Sequence, residues 1–245
     1  MSELHGVAKA RYVGSMFARI VPRYDLMNTL MTFGLDRLWR KLAADVAAVP
    51  DGELALDVAA GTGELTFALA RQSARLSVGV DFCLEMLEAA RDKAGRSGVA
   101  NAVFVAGDAL ALPFPDDAFG AVTVAFGLRN VADLPRALAE MRRVVRPGGR
   151  VVTLELTRSS IKPLGWVFWP YFHLVIPLLG GLVGGDRQAY AYLPDSVTRF
   201  PGVRELAALM HAAGLRQVRY RYVGFGTVAI HVGTKPGAPY APGGR

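Results

Sequence analysis

The chemistry-bearing residues of this chain gather around a tight turn with two glycines, Gly61 and Gly63, that directly follows the apolar run Leu54–Val58. Glycines between a strand and a helix let a ligand approach the backbone closely, and the helix start offers it free N–H groups. A unit of this kind typically holds a nucleotide-like ligand at the carboxyl edge of a parallel sheet. The turn therefore predicts a ligand site.

The residues around the turn exclude two common nucleotide motifs. The third glycine of the dinucleotide fingerprint is absent, and no Gly-Lys-Ser/Thr follows as a phosphate loop requires. Asp57 and Glu64 place negative charge where a pyrophosphate would be repelled. A cationic ligand fits better, and S-adenosylmethionine carries a sulfonium and an ammonium group. We therefore predict that S-adenosylmethionine is the cofactor.

Two further acidic residues follow the next apolar runs. Asp81 ends the run Leu76–Val80, where a carboxylate can accept both hydroxyls of a ribose. Asp108 follows Val103–Ala106 and could accept a hydrogen bond from the adenine amino group. Each acid alone is as readily a turn or helix-cap residue. Acids at successive strand ends after a glycine turn favour a cofactor site.

A parallel sheet must position these residues. Short β-branched runs alternate with segments of helical periodicity, which predicts an α/β sheet with helices on both faces. The predicted strands are Leu54–Val58, Leu76–Val80, Val103–Ala106, Ala121–Ala125 and Arg150–Leu156. The predicted helices are Glu64–Arg71, Leu84–Ala94 and Leu134–Arg146. A later helix, Val203–Ala213, precedes an antiparallel strand pair, Arg216–Val223 and Thr227–Thr234.

At 245 residues the chain suits one domain with several parts. We expect a helical N-terminal cap over 1–50, a cofactor-binding core over 51–156, an apolar insertion over 157–200, a helix and strand pair over 201–235, and a disordered tail over 236–245. The stretch 163–185 contains no Lys, Arg, Asp or Glu. Its prolines and glycines favour short apolar elements over a pocket or interface, although a membrane helix stays open.

The amino-acid composition limits which partners and which cellular setting are expected. The net charge is +7, concentrated in the C-terminal part, which predicts contact with a lipid surface or nucleic acid, or merely solvated arginines. A single cysteine, Cys83, favours a reducing, cytosolic setting and a packing role for that thiol. The N-terminus lacks the pattern of a secretory signal, and the four scattered histidines predict no metal site.

The residues after the fourth strand make a family resemblance specific. The run Phe126–Val131 lacks the Asn/Asp-Pro-Pro-aromatic motif used to methylate nucleic-acid amines. Over residues 10–235 the chain resembles the UbiE/MenG family of menaquinone and ubiquinone biosynthesis C-methyltransferases. The motifs that carry the resemblance are Tyr24–Asn28, Phe33–Leu35, Leu38–Arg40, Asp57–Gly63, Leu112–Phe114, Phe126–Val131 and Ala189–Ser196.

The resemblance implies a class I methyltransferase fold, Rossmann-like, with a mostly parallel seven-stranded sheet and an antiparallel edge strand. It implies methyl transfer from S-adenosylmethionine to a ring carbon of a demethylated prenylquinol. By position, Thr62, Asp81, Asp108 and Ala109 would contact the cofactor. Ala125 stands where many members have serine, so one hydroxyl contact is lost there.

The same resemblance suggests residues for the acceptor. Arg129 would stabilise a phenolate or relay a proton through water, because arginine's high pKa makes it a poor direct base. The alternative for Arg129 is an ion pair, for example with Asp133. Asn130 would orient the ring oxygen or that water. The predicted acceptor-binding or lid residues are Tyr24, Asp25, Asn28 and Phe126, with Asp25 equally able to cap its helix.

We therefore expect a prenylated quinol as substrate, transient contact with a membrane surface, and no nucleic-acid partner. The aromatic residues of the insertion, Trp166, Phe168, Trp169, Tyr171 and Phe172, would line a passage or enter the lipid interface. The expected location is cytoplasmic, with peripheral contact on the inner face of the membrane; a homodimer stays open. Competing interpretations are another small aromatic or lipid acceptor, an RNA-binding protein, and a non-catalytic S-adenosylmethionine-binding partner.

Overall fold

A computed structural model describes residues 6–72, 74–157 and 170–237, with side chains from residue 12 onward. Trp166, Phe168 and Trp169 of the predicted passage lie outside these residues, as does most of the predicted tail.

A seven-stranded sheet forms the centre of the fold, in the order β3-β2-β1-β4-β5-β7-β6. The first five strands pair in parallel, and β7 runs antiparallel to both of its neighbours. The predicted mostly parallel sheet is thereby confirmed, with the antiparallel strand one place inside the edge. The strands are β1 (Leu54–Val58), β2 (Leu76–Asp81), β3 (Ala102–Ala106), β4 (Phe119–Ala125), β5 (Val145–Leu156), β6 (Arg216–Val223) and β7 (Val228–Thr234).

Helices precede, alternate with and follow the strands. In chain order they are α1 (Gly6–Ile20), α2 (Tyr24–Thr32), α3 (Leu35–Ala47), α4 (Glu64–Ala70), α5 (Leu84–Ser97), α6 (Leu134–Val144), α7 (Ile176–Leu182), α8 (Arg187–Arg199) and α9 (Val203–Ala212). A π-helical turn, Tyr171–Val175, leads into α7, and a 3-10 turn, Leu128–Asn130, follows β4. Among the described residues, none of the helices is both long enough and apolar enough to cross a membrane.

Both faces of the sheet are covered, so its central strands are mostly apolar, with a few buried polar residues such as Asp57. In β1, Leu56 belongs to the apolar cluster that includes α6 and α9, whereas Ala55 belongs to the cluster on the opposite face, with α3 and α4. Successive side chains of a strand point to opposite faces. Asp57 therefore faces the α3–α4 side, where it is buried.

The N-terminal helices and the apolar insertion pack against each other. Met16 of α1 and Met27 of α2 share a buried cluster with Ile176 of α7 and Tyr190 of α8. The helix α3 belongs instead to the sheet, because Trp39 and its neighbours bury one face of the helix against the strands. The first fifty residues thus contribute to two layers: α3 to the sheet packing, and α1 and α2 to a roof shared with α7 and α8.

The junction of α6 and β5 differs from the prediction. The helix ends at Val144 and the strand begins at Val145, five residues before the predicted start at Arg150. The strand is irregular over residues 146–149, because Phe119 of β4 pairs with Val145 whereas Ala121 pairs with Arg150. Gly149 permits this, since an added Cβ there would lie 2.7 Å from the carbonyl oxygen of Gly120.

Candidate active site

Two cavities, both partly open to solvent, lie at the carboxyl edge of the sheet and share a wall. The first, here the sheet-edge cavity, is lined by residues that follow β1, β2, β3 and β4, among them Gly61, Asp81, Asp108 and Ala109. The second, here the apolar cavity, lies beneath the roof of α1, α2, α7 and α8. The residues common to both are Phe17, Tyr24, Phe126 and Asn130. The shared wall brings contents of one cavity next to contents of the other.

The glycine turn forms part of the sheet-edge cavity through Gly61, which adopts a left-handed conformation at φ +54°. Its backbone N–H donates to a carboxylate oxygen of Asp81 over 2.8 Å. Gly63 has a different task. It begins α4 at φ +85° and lines neither cavity, and an added Cβ would lie 2.7 Å from the ring of Phe104. Gly63 therefore lets α4 pack closely on β3, while Gly61 lies beside the ligand space.

Asp81 and Asp108 both line the sheet-edge cavity, as predicted from the strand ends. Asp81 is buried, and its second oxygen accepts from the backbone N–H of Cys83 over 2.9 Å. Burial raises its pKa, while these backbone donors oppose the rise. Asp108 is exposed and accepts from the N–H of Leu110 over 2.9 Å. Each carboxylate keeps lone pairs for the hydroxyl or amino donors of a ligand.

Asp57 lies beside these residues without entering the sheet-edge cavity. It lines a smaller polar space with Gly61 and Thr62. Its carboxylate accepts from the hydroxyl of Thr66 over 2.8 Å, and complete burial raises its pKa to about 7 despite that bond and the attraction of Arg40. A cation placed in this small space would favour the ionised carboxylate.

Thr62 forms a hydrogen bond with helix α2 of the roof. Its hydroxyl donates to Asp25 of α2 over 2.6 Å, and Lys93 of α5 donates to the other oxygen of Asp25 over 2.6 Å. Lys93 also reaches Glu64 at the start of α4, again over 2.6 Å. We call Asp25, Thr62, Glu64 and Lys93 the latch. The alternative that Asp25 caps its own helix was wrong, because its carboxylate binds these partners instead.

The exposed lining of the apolar cavity is mainly apolar, although several polar side chains also line it. Its lining includes the aliphatic and aromatic side chains of Met16, Ile20, Tyr171, Phe172, Ile176 and Leu193. Asn28 and Arg129, which the sequence predicts for acceptor binding and catalysis, line it, and so does Tyr190, which was not predicted as a site residue. The hydroxyl of Tyr190 and Oδ1 of Asn130 are buried without a hydrogen-bond partner. Such unsatisfied atoms are costly unless a ligand or water supplies a partner.

Arg129 forms a buried ion pair at the end of the sheet. Its Nη1 lies 3.1 Å from both carboxylate oxygens of Glu155 on β5 and donates to the carbonyl of Phe126 over 2.5 Å. The side chains of Arg129 and Glu155 are only 9% and 2% exposed. Asp133 was the wrong partner, because it accepts from the N–H of Arg136 at the start of α6. An ion pair thus exists, and it leaves Arg129 lining the apolar cavity.

Phe126, in the shared wall, lies close to two guanidinium groups. The Cζ atom of Arg40 is 5.3 Å from its ring centroid, and that of Arg129 is 5.9 Å. Arg40, in turn, forms a buried ion pair with Asp36 one helical turn earlier. Phe126 adopts φ +57°, a left-handed conformation that is uncommon for a bulky residue. Both charges that flank the ring are therefore balanced.

Cys83 is buried, and burial raises the pKa of its thiol to about 11. The thiolate is therefore scarce at neutral pH, which supports the predicted packing role. Glu155, Lys93, Arg40 and Tyr190 were missed in the sequence. Glu155 and Lys93 contact residues far away in the sequence, so no local signal was available for them. Arg40 lies four residues after its partner Asp36, and this helical spacing could have indicated the ion pair.

The comparisons with known proteins agree on a methyltransferase. The model of the ubiE/COQ5 methyltransferase family matches residues 5–235. A relative from Thermus thermophilus, named demethylmenaquinone methyltransferase, is 49% identical and covers 90% of this chain and 100% of its own. A relative from Paracoccus denitrificans, named ubiquinone/menaquinone biosynthesis C-methyltransferase UbiE, is 41% identical, with coverages of 93% and 92%.

The solved structures support the fold. A Thermotoga maritima protein, described as an S-adenosylmethionine-dependent methyltransferase and possible histamine N-methyltransferase, superposes with a TM-score of 0.65. Its sequence identity is 20%, and the match covers 91% of this chain and 99% of that one. The class I Rossmann-like fold is therefore confirmed.

The raised pKa of Asp57 predicts a pH-dependent stability of the cofactor-free protein. Folding favours the protonated carboxyl, so this residue's contribution to the free energy of unfolding falls as the pH rises through the range below about 7. Between about pH 5 and 7, we expect the free energy of unfolding of wild type to fall by up to about 1.4 kcal/mol per pH unit relative to that of Asp57→Asn. Above about pH 7 this difference should stay constant.

Urea unfolding of both proteins at a series of pH values measures this difference. The control is Asp51→Asn, which changes an exposed aspartate in the turn before β1. The free energy of unfolding of this variant should change with pH in the same way as that of wild type. Parallel curves for Asp57→Asn would contradict the shifted pKa.

The latch predicts a second effect, on ligand affinity. Replacing Lys93 by methionine removes the cation that Asp25 and Glu64 share, so α2, which carries Tyr24, is held less firmly over the glycine turn. We expect Lys93→Met to weaken S-adenosylmethionine binding about tenfold, or roughly 1.4 kcal/mol, by isothermal titration calorimetry. Lys41→Met, at a lysine that is 70% exposed, is the matched control. Equal affinities for the two variants would show that the latch does not support the cofactor site.

Proposed function

Because the chain belongs to the ubiE/COQ5 methyltransferase family, we propose that it methylates a ring carbon of demethylmenaquinol, with S-adenosylmethionine as the methyl donor. The chain is thus a C-methyltransferase of quinone biosynthesis. The shared wall between a carboxylate-lined cavity and an apolar one is the observation that carries this proposal. A polar donor and a lipid-like acceptor can approach each other only at such a wall.

The sheet-edge cavity suits S-adenosylmethionine by the chemistry of its groups. The hydroxyls of a ribose and the amino group of an adenine are donors, and Asp81 and Asp108 offer acceptors. Asp57, next to the small space beside Gly61 and Thr62, suits the cationic methionine end. Ala109 and the apolar residues near it complete the wall that would face the adenine. When bound, the cofactor supplies an electrophilic methyl group on its sulfonium.

The apolar cavity suits the head of a prenylquinol. Loss of a proton from the ring hydroxyl increases electron density on the neighbouring carbon, which then becomes the nucleophile. Arg129 would stabilise the developing phenolate, and the unsatisfied Oδ1 of Asn130 would accept from a ring hydroxyl or water. Tyr24 and Phe126 would hold the ring against the shared wall and, with the roof, exclude water.

The roof also offers a surface for transient membrane contact. Leu174, Leu178 and Leu182 are 63%, 57% and 73% exposed. Phe33, 84% exposed, stacks at 6.4 Å on Tyr171, whose neighbours line the apolar cavity. Exposed leucines and an aromatic ring beside the cavity suit the interfacial region of a bilayer, from which a prenylquinol would enter.

Product analysis tests the reaction. Purified protein, labelled S-adenosylmethionine and reduced demethylmenaquinone should yield menaquinol, with slower methylation of ubiquinone precursors and simple phenols. Arg129→Ala should lower kcat at least about a hundredfold while cofactor binding stays within twofold, because the loss of the guanidinium removes stabilisation of the phenolate. Preference for a ubiquinone precursor would favour the second acceptor class, which the name of the Paracoccus relative includes. Full turnover by Arg129→Ala would remove its assigned role.

The membrane surface is tested by co-sedimentation with anionic liposomes. The double variant Leu178→Ser/Leu182→Ser removes apolar area from exposed positions and should lower the bound fraction several-fold. Leu84→Ser, at an equally exposed leucine on α5, serves as the control. Unchanged sedimentation of the double variant would contradict the assigned surface.

A further inference from the structure

Glu155 is a buried carboxylate that the sequence did not single out. It is the last residue but one of β5, is 1% exposed, and lies opposite Ala229 of β7 in the sheet. An isolated buried carboxylate is strongly disfavoured, and Arg129 supplies the compensating charge. Both oxygens of Glu155 lie 3.1 Å from the same nitrogen, Nη1 of Arg129.

Arg129 lies between this carboxylate and the apolar cavity. Its side chain lines the apolar cavity, whereas Glu155 does not. The charged and titratable groups that face the pair come from other elements. Arg40 of α3 lies near the ring of Phe126, as Arg129 does. Burial raises the pKa of Tyr192 of α8, and the positive charge of Arg129 opposes that rise. Asp36 balances the charge of Arg40, and Glu155 balances that of Arg129, so neither ion pair adds net charge to the cavity wall.

A prenylquinol acceptor raises a chemical difficulty that this pair resolves. The ring hydroxyl must lose a proton before the neighbouring carbon attacks, and a guanidinium is too weak a base to keep that proton. A carboxylate in a dry site is a stronger proton acceptor than in water. Burial raises the pKa of Glu155, although Arg129 opposes the rise.

We propose that Glu155 is a positioning residue that aims Arg129 at the acceptor and, through its guanidinium, receives the proton of the ring hydroxyl. The O–H bond of the ring breaks as an N–H bond forms at Nη1 of Arg129, while the N–H bond that the same nitrogen directs at Glu155 breaks and an O–H bond forms at Glu155. The guanidinium keeps its charge throughout. Glu155 becomes neutral, so that charge now faces the phenolate alone.

The pair returns to its first state within the same turnover. The methylated ring carbon releases its hydrogen as a proton to solvent. The ring oxygen then recovers a proton from Glu155 through Arg129, which restores the aromatic quinol and the ionised carboxylate. One proton leaves per methyl group transferred, and no other reactant is consumed.

This role rests on the proposed function, and the acidity of the acceptor tests it separately. Glu155→Gln keeps the shape of the side chain but cannot take the proton. With demethylmenaquinol we expect kcat to fall about a hundredfold, within the range of general-base catalysis, while the dissociation constant for S-adenosylmethionine stays within twofold. With a ring-fluorinated demethylmenaquinol, whose hydroxyl ionises more readily, the loss should shrink to less than tenfold.

The pH profile supplies an independent readout. In wild type, kcat should rise with pH through the titration of Glu155 and then level off, because the carboxylate must be ionised to accept. In Glu155→Gln that plateau should disappear, and the residual rate should keep rising as the acceptor itself ionises. Glu155→Asp, which retains a carboxylate, should keep the plateau and recover part of the rate. If Glu155→Gln fails to fold, the pH profile of Glu155→Asp is compared with that of wild type instead.

Equal losses with both acceptors, or an unchanged plateau in Glu155→Gln, would overturn the role and leave Glu155 as a structural partner of Arg129. Failure of the proposed function looks different. In that case wild type itself would bind S-adenosylmethionine yet methylate neither acceptor.

Discussion

The hydrogen bond from the N–H of Gly61 to the carboxylate of Asp81 is the contact on which the site depends. It joins the turn after β1 to the end of β2, and it can form only because those strands lie side by side in parallel. Parallel strands bring all of their carboxyl ends to one edge, where successive loops share a crevice. The bond joins two loops that both line the sheet-edge cavity, and it thereby sets the distance between the glycine turn and the end of β2.

The roof comes from distant parts of the chain. The helices α1 and α2 precede the sheet, whereas α7 and α8 follow β5, yet the four form one buried cluster. The latch ties α2 to the glycine turn, and the hydroxyl of Tyr171 donates to the carbonyl of Met31 over 2.7 Å, which ties the insertion to α2. The roof residues Phe17 and Tyr24 also line the sheet-edge cavity, so the roof is part of both cavities.

The local parts of this arrangement were predictable, and the long-range parts were not. The strand β1 and the acids Asp81 and Asp108 follow from apolar runs and their ends, since these signals lie within a few residues of one another. The pairs Lys93–Asp25 and Arg129–Glu155 join residues 68 and 26 positions apart. Which acid meets Arg129 is decided by the pairing of β4 with β5, so the nearby Asp133 was a reasonable but wrong choice.

The balanced charges around Phe126 reconcile two demands on the apolar cavity. A neutral, lipid-like acceptor would be hindered by an unpaired buried charge, because neither the ligand nor the surrounding side chains could solvate it. Chemistry on a phenol nevertheless needs positive charge beside the ring oxygen. Pairing Arg40 with Asp36 and Arg129 with Glu155 keeps the resting wall neutral. Neutralising Glu155 as the acceptor ionises makes the charge of Arg129 available only when the phenolate forms, so stabilisation is concentrated on the reactive state.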